Sequence, residues 1–194
     1  MGEIRRAAPE DLEEVTETLW RAFEGDPLWS WAFPQHAQLR PLWRLFVDSA
    51  LAHEWVWMLG DCEAAALWIP PGCGELSAEE QARFEPFVRK LAGDRAPDLL
   101  ALFDRFEHAH PESPPHYYLS LLGTRPDRRG RGLGMRLLED NLRRIDSEGA
   151  PAYLESSNPA NDGRYEGVGF RPNGSFETPD GACTVTTMWR SAAG

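Results

Sequence analysis

The chain has 194 residues, 42% of them hydrophobic, enough for one compact domain over residues 1–194 without metal or disulfide staples. A formal charge of −11 weighs against nucleic acid or an anionic membrane, which need a net basic surface; it would suit a cationic ligand, but serves solubility first. Cys62, Cys73 and Cys183 lack paired metal-ligand spacing, no leader opens the chain, and no apolar run nears the roughly 18 residues of a span; a reduced, metal-free, cytoplasmic protein is expected.

In chain order, Glu3 to Ala7 reads as a short edge strand. Pro9 then stands at a first helical position, with acids in the first turn and Leu12, Val15, Leu19 and Phe23 at helical spacing up to Gly25. Asp26 to Pro34 is an aromatic stretch bounded by prolines, a loop or short helix, and a second amphipathic segment runs through Leu39, Leu42, Leu45, Phe46 and Leu51. Trp55 to Leu59 and Ala64 to Ile69 read as an antiparallel hairpin turning at Gly60-Asp61. Ser77 to about His110 is helical and charged, divided near Gly93 and Pro97 into two helices. After it come the strand Tyr117 to Leu122, the helix Leu133 to Ile145 closed by Gly149, and the strand Ala152 to Ser156. A short helical stretch near Tyr165 and the strands Phe170 to Phe176 and Thr184 to Trp189 complete the chain. The order implies an α/β fold, a mixed sheet with helices on both faces.

The chemistry concentrates between the strand ending near Thr124 and the helix starting near Leu133. Glycines at 130, 132 and 134 let the backbone turn and approach a ligand closely. Free amides at the helix N-terminus, the positive end of its dipole and Arg128, Arg129 and Arg131 together make an anion site suited to a phosphorylated ligand. Neither the G-x-G-x-x-G of a dinucleotide fold nor the Gly-Lys-Ser/Thr of a nucleotide-phosphate loop is present.

What stands instead is Arg129-x-x-Gly132-x-Gly134, followed by Asn158, Tyr165, Gly169 and Phe170 as N-x₆-Y-x₃-G-F after the strand Pro151 to Ser156. These two signatures, in this order, resemble those of the GNAT acetyltransferases. His116-Tyr117-Tyr118-Leu119, Leu122-Gly123-Thr124-x-Pro126, Pro151 to Ser156 and Thr186-x-Met188-x-Arg190 are similar to the puromycin N-acetyltransferase group. One departure is Asn161-Asp162-Gly163-Arg164 before the tyrosine, where that family carries Ala and an apolar residue. Gly163 and Gly167 each cost a helix about 1 kcal/mol relative to Ala, so the helix there should be short.

The resemblance implies a central sheet of about seven strands splayed between its fourth and fifth, with acetyl-CoA as co-substrate, no metal, and an amine as acceptor, a small molecule first among the options. Leu122, Gly123 and Thr124 would pair with the pantetheine arm as an added strand, the amides from Arg129 through Gly130, Arg131, Gly132, Leu133 and Gly134 to Met135 would hold the diphosphate, and Asn158 would also bind the co-substrate. Acetyl transfer needs a deprotonated amine, stabilisation of the oxyanion and a proton for the departing thiolate. Tyr165 matches the family's proton donor. Glu155 is the leading base, His116 its rival, and a water chain a third route. The acceptor would sit against Trp29, Trp31 and Phe33, its amine drawn by Asp26. An acyl-CoA-binding sensor and a protein or peptide N-acetyltransferase stay open as alternatives, and a homodimer is compatible with the sequence.

Overall fold

The computed structural model describes residues 2–192. Among them, β1 (Ile4–Arg6), β2 (Val56–Leu59), β3 (Ala64–Ile69), β4 (Tyr117–Thr124), β5 (Ala152–Ser156), β6 (Arg171–Glu177) and β7 (Thr184–Arg190) form one mixed sheet in the order β1-β2-β3-β4-β5-β7-β6. Every residue of β2 and β3 is buried, because both faces of the sheet are covered. Met58, Ala65 and Leu67 face a core built with α1 (Leu12–Ala22), α2 (Pro27–Ala32), α3 (Leu39–Leu51), α4 (Ala78–Ala92) and α5 (Ala96–Ala109). Their alternating neighbours Trp57, Ala64, Ala66 and Trp68 face a second core under α6 (Leu133–Ser147). Period-2 alternation thus sends one apolar run into two cores.

Local chemistry explains the element ends. Pro27 at the first turn and the Asp26 side chain, accepting from the Trp29 amide at 3.1 Å, start α2, so the aromatic stretch is a short helix. Ser77 and Glu80 form a capping box on α4, and Gly93 ends it at φ +55. The strand expected to stop at Leu122 runs on to Thr124, held by β3 through Ala65↔Gly123 and Ala64↔Thr124. On its other edge β4 pairs with β5, in parallel, only at Tyr117↔Ala152, Tyr118↔Tyr153 and Leu119↔Leu154. Beyond Leu119 the two strands part, leaving β4 backbone bare on that side.

Gly123 marks how closely α1 rests on β4 beside this opening. A Cβ there would stand 2.6 Å from Ala22 Cβ and 3.1 Å from Leu19 Cδ2. Gly123→Val is expected to cost about 1–3 kcal/mol by overpacking, read as a lower melting temperature in calorimetry. A melting temperature equal to the parent's would mean that α1 lifts off β4 freely.

Candidate active site

The turn before α6 is built to receive an anion. Gly130 and Gly132 adopt φ +78 and +70, the left-handed region that glycine enters without strain. Among the described residues, none of the amides from Gly130 to Met135 donates to a protein acceptor; the first bonded amide of α6 is Arg136, to Gly132 O at 2.9 Å. Those free N–H groups sit at the positive end of a 15-residue helix. A Cβ on Gly134 would come within 2.7 Å of Thr124 Oγ1, so a side chain would fill the cradle. Arg129 Nη2 donates to Ala22 O at 2.7 Å, tying the turn to the carboxyl end of α1.

The cradle opens into a cleft of about 700 Å³ that follows the gap between β4 and β5. Leu122, Gly123 and Thr124 line one side, and Leu154, Glu155 and Ser156 the other. Asn158 caps the turn after β5, its Oδ1 accepting from the Ala160 amide at 3.1 Å, and also faces the cleft. Tyr165 reaches it from α7 (Asp162–Gly167), which is short, as its two glycines imply. Burial, then the charges of Asp26 and Asp162, push the Tyr165 phenol up to about 12, so it keeps its proton at neutral pH. The Arg131 side chain is exposed and lies outside the lining.

Two carboxylates meet where the strands part. Glu155 has a side chain 2% exposed, and its Oε2 is buried without a hydrogen bond. Glu75, on the loop after β3, is held by the Ser120 hydroxyl of β4. Burial first, and the neighbouring Glu155 charge with it, push the Glu75 carboxyl up to about 7. Glu75 carries no sequence signature, and only the fold brings it to Ser120. His116 does not line the cleft. Its ring lies 5.0 Å from His110, and burial holds the imidazole below its ordinary pKa.

Because the folded state keeps the Glu75 proton up to about 7 while an unfolded chain releases it near 4.5, stability falls as pH rises through that window. Glu75→Gln is therefore expected to raise the melting temperature more at pH 8 than at pH 4, in paired scanning-calorimetry runs. Equal gains at both would refute the shift.

Part of the cleft is aromatic. Trp29 packs parallel to Phe106 at 6.3 Å and edge-on to Trp43 at 4.6 Å, and all three line it with Asp26. Asp26 Oδ2 accepts from Ser157 Oγ at 2.8 Å, and burial raises its pKa. Trp31 and Phe33, expected beside Trp29, are elsewhere. Helical residues two apart point about 200° apart, so α2 cannot show both tryptophans to one ligand. Trp31 Nε1 donates to Asp180 Oδ2 at 2.9 Å, under the Arg95 guanidinium, and Phe33 is buried in the core at 2% exposure.

The acetyltransferase (GNAT) family model matches residues 12–170. An uncharacterized N-acetyltransferase of Schizosaccharomyces pombe is 25% identical over 189 residues, covering 86% of this chain and 73% of the relative. Among solved structures, a protein of Corynebacterium glutamicum named as a histone acetyltransferase and related acetyltransferase superposes with a TM-score of 0.72 at 23% identity, over 100% of this chain and 97% of that one. Arylalkylamine N-acetyltransferase 2 of Aedes aegypti does so at 0.72 and 13% identity, over 99% of both. The parted β4 and β5 and the amide cradle agree with the family match: the chain belongs to the GNAT acetyltransferase family and is an acetyl-CoA-dependent acyltransferase.

Proposed function

We propose that this protein, acting as one domain, transfers an acetyl group to the primary amine of a small molecule, in a ternary complex with acetyl-CoA. What carries the reading is the continuity of one cleft: phosphate-binding amides at one end, an aromatic chamber at the other, and Glu155 and Tyr165 lining the stretch between. The fit of the co-substrate is supported by the unbonded amides from Gly130 to Met135 and by a Gly134 cradle that a Cβ would fill. Leu122, Gly123 and Thr124 offer the bare edge of β4 to the pantetheine amides, and Asn158 flanks it.

Acetyl-CoA supplies the activated acetyl group; the protein's residues orient the partners and move protons. Glu155, unbonded at Oε2, removes the ammonium proton, and Glu75 lines the cleft beside it. Tyr165 gives a proton to the departing sulfur. Trp29 and Phe106 hold an aromatic or extended apolar body, and Asp26 fixes the α2 wall beside them. The Aedes aegypti structure acts by name on arylalkylamines, chemistry that this chamber suits. The puromycin-group motifs fit an antibiotic-like amine equally well.

The test is release of free CoA thiol from acetyl-CoA with a panel of arylalkylamines, polyamines, aminonucleosides and peptides. Turnover of small amines is expected. Turnover of peptides alone would move the assignment to a protein acetyltransferase, and binding without turnover to a sensor.

A further inference from the structure

We propose that His110 is the exit for the proton released by the acceptor amine: Glu155 takes it in the cleft, His110 takes it from Glu155 and hands it to solvent, and His116 holds His110 in the tautomer this needs. The proposal rests on the acetyl-transfer reading above.

His110 follows α5 and His116 precedes β4, and the loop between them brings the rings to 5.0 Å. His116 Nδ1 lies 2.8 Å from Pro114 O. A carbonyl oxygen only accepts, so Nδ1 carries the hydrogen. With His116 kept neutral by burial, its Nε2 is a bare acceptor, 3.1 Å from His110 Nε2, and His110 must donate there. The remaining nitrogen of His110, Nδ1, is then the one free to gain or lose a proton. It stands 3.7 Å from Glu155 Oε1, an ion-pair distance that a small side-chain rotation shortens to a hydrogen bond.

Exposure gives the wire its direction. The Glu155 side chain is 2% exposed and that of His110 34%, so the proton moves from a buried carboxylate to a ring that touches solvent. The groups facing this pair are Glu75 from the loop after β3, Tyr118 of β4, Tyr153 of β5 and His116. Burial and the Glu155 charge raise both tyrosines above their ordinary values, so they stay neutral and do not compete. Tyr118 and Tyr153 meet His110 edge-on at 4.8 and 5.0 Å and hold its plane. Neither His110 nor His116 lines the cleft, so two substrates can fill it without covering these rings from that side.

The proton count balances. An ammonium and a thioester become an amide, a free thiol and one proton; the ammonium loses two protons, one replaces that given to sulfur by Tyr165, and the other leaves through Glu155 and His110. His110 acts through Glu155 and is a positioning and relay residue.

The experiment is His110→Gln, which keeps a hydrogen-bonding side chain for His116 and cannot carry the proton onward. In dilute buffer its kcat is expected to fall roughly tenfold or more, with melting temperature and acetyl-CoA affinity unchanged. Added imidazole should restore turnover in the variant and leave the parent unaffected. A kcat equal to the parent's, or a loss that imidazole does not restore, overturns the relay. Nitrogen-15 NMR of the parent protein supplies a readout besides activity, with His116 expected as the Nδ1–H tautomer and His110 protonated at Nε2. The reverse pair of tautomers overturns it as well. If no amine is acetylated while these tautomers are seen, the acetyl-transfer reading falls, and the relay's task with it, although the wiring stands.

Discussion

Gly134→Asp is expected to raise the dissociation constant for acetyl-CoA at least ~100-fold, about 2.7 kcal/mol, as measured by calorimetry on the folded variant. Two effects add. The new Cβ would press to 2.7 Å on Thr124 Oγ1, at the mouth of the gap between β4 and β5. The carboxylate would then occupy the cradle of amides from Gly130 to Met135, where it neutralises the α6 dipole and repels a diphosphate. Gly134→Ala separates them, since it brings the Cβ and no charge; a flexible hydroxyl is all it meets, and its loss should be several-fold smaller. Gly132→Asp adds charge at a residue with φ +70, where any side chain is strained, and should fail in binding and lose stability together. Unchanged affinity in Gly134→Asp would take the diphosphate out of this turn and leave the orientation of the thioester without a cause.

The cradle could be read from the amino-acid order because its physics is local. Three glycines in five residues and a following amphipathic run specify a turn, a helix start and a row of free amides, whatever the rest of the chain does. The apolar runs of β2 and β3 were legible for the same reason, and so was the short α7, weakened by Gly163 and Gly167. Features that depend on distant pairing were not. The order β5-β7-β6 sets the last strand inside the sheet, which no local pattern announces. Glu75 sits in a Pro- and Gly-rich loop like many solvated acids, and its contact with Ser120, 45 residues away in the chain, is a product of the tertiary fold. Trp29 and Trp31 look equivalent in composition, and the phase of a six-residue helix separates them. Glu155 and His116, rival bases by residue type, turn out to share one cluster joined by His110, a histidine without any motif of its own.

Tyr165→Phe is expected to lower kcat about 100-fold, in the range that removal of a positioned general acid costs, while the dissociation constant for acetyl-CoA stays at the parent's value. The split follows from where the hydroxyl acts. Phenylalanine keeps the ring that meets Phe170 edge-on at 6.3 Å, so α7 and the cleft wall persist. In the proposed mechanism what is lost is a proton donor that matters only as the carbon–sulfur bond breaks, and such an interaction lowers kcat without touching ground-state binding. The environment of the phenol keeps its proton in place: burial, and then Asp26 and Asp162, push it up to about 12, so it remains protonated at neutral and mildly basic pH. The parent's kcat should therefore show no alkaline decline from Tyr165 in mildly basic buffer. Steady-state turnover and equilibrium binding of the two proteins at matched pH decide the matter. Equal turnover would remove the proton transfer from Tyr165, and a parallel loss of affinity would make it a cofactor-binding residue instead.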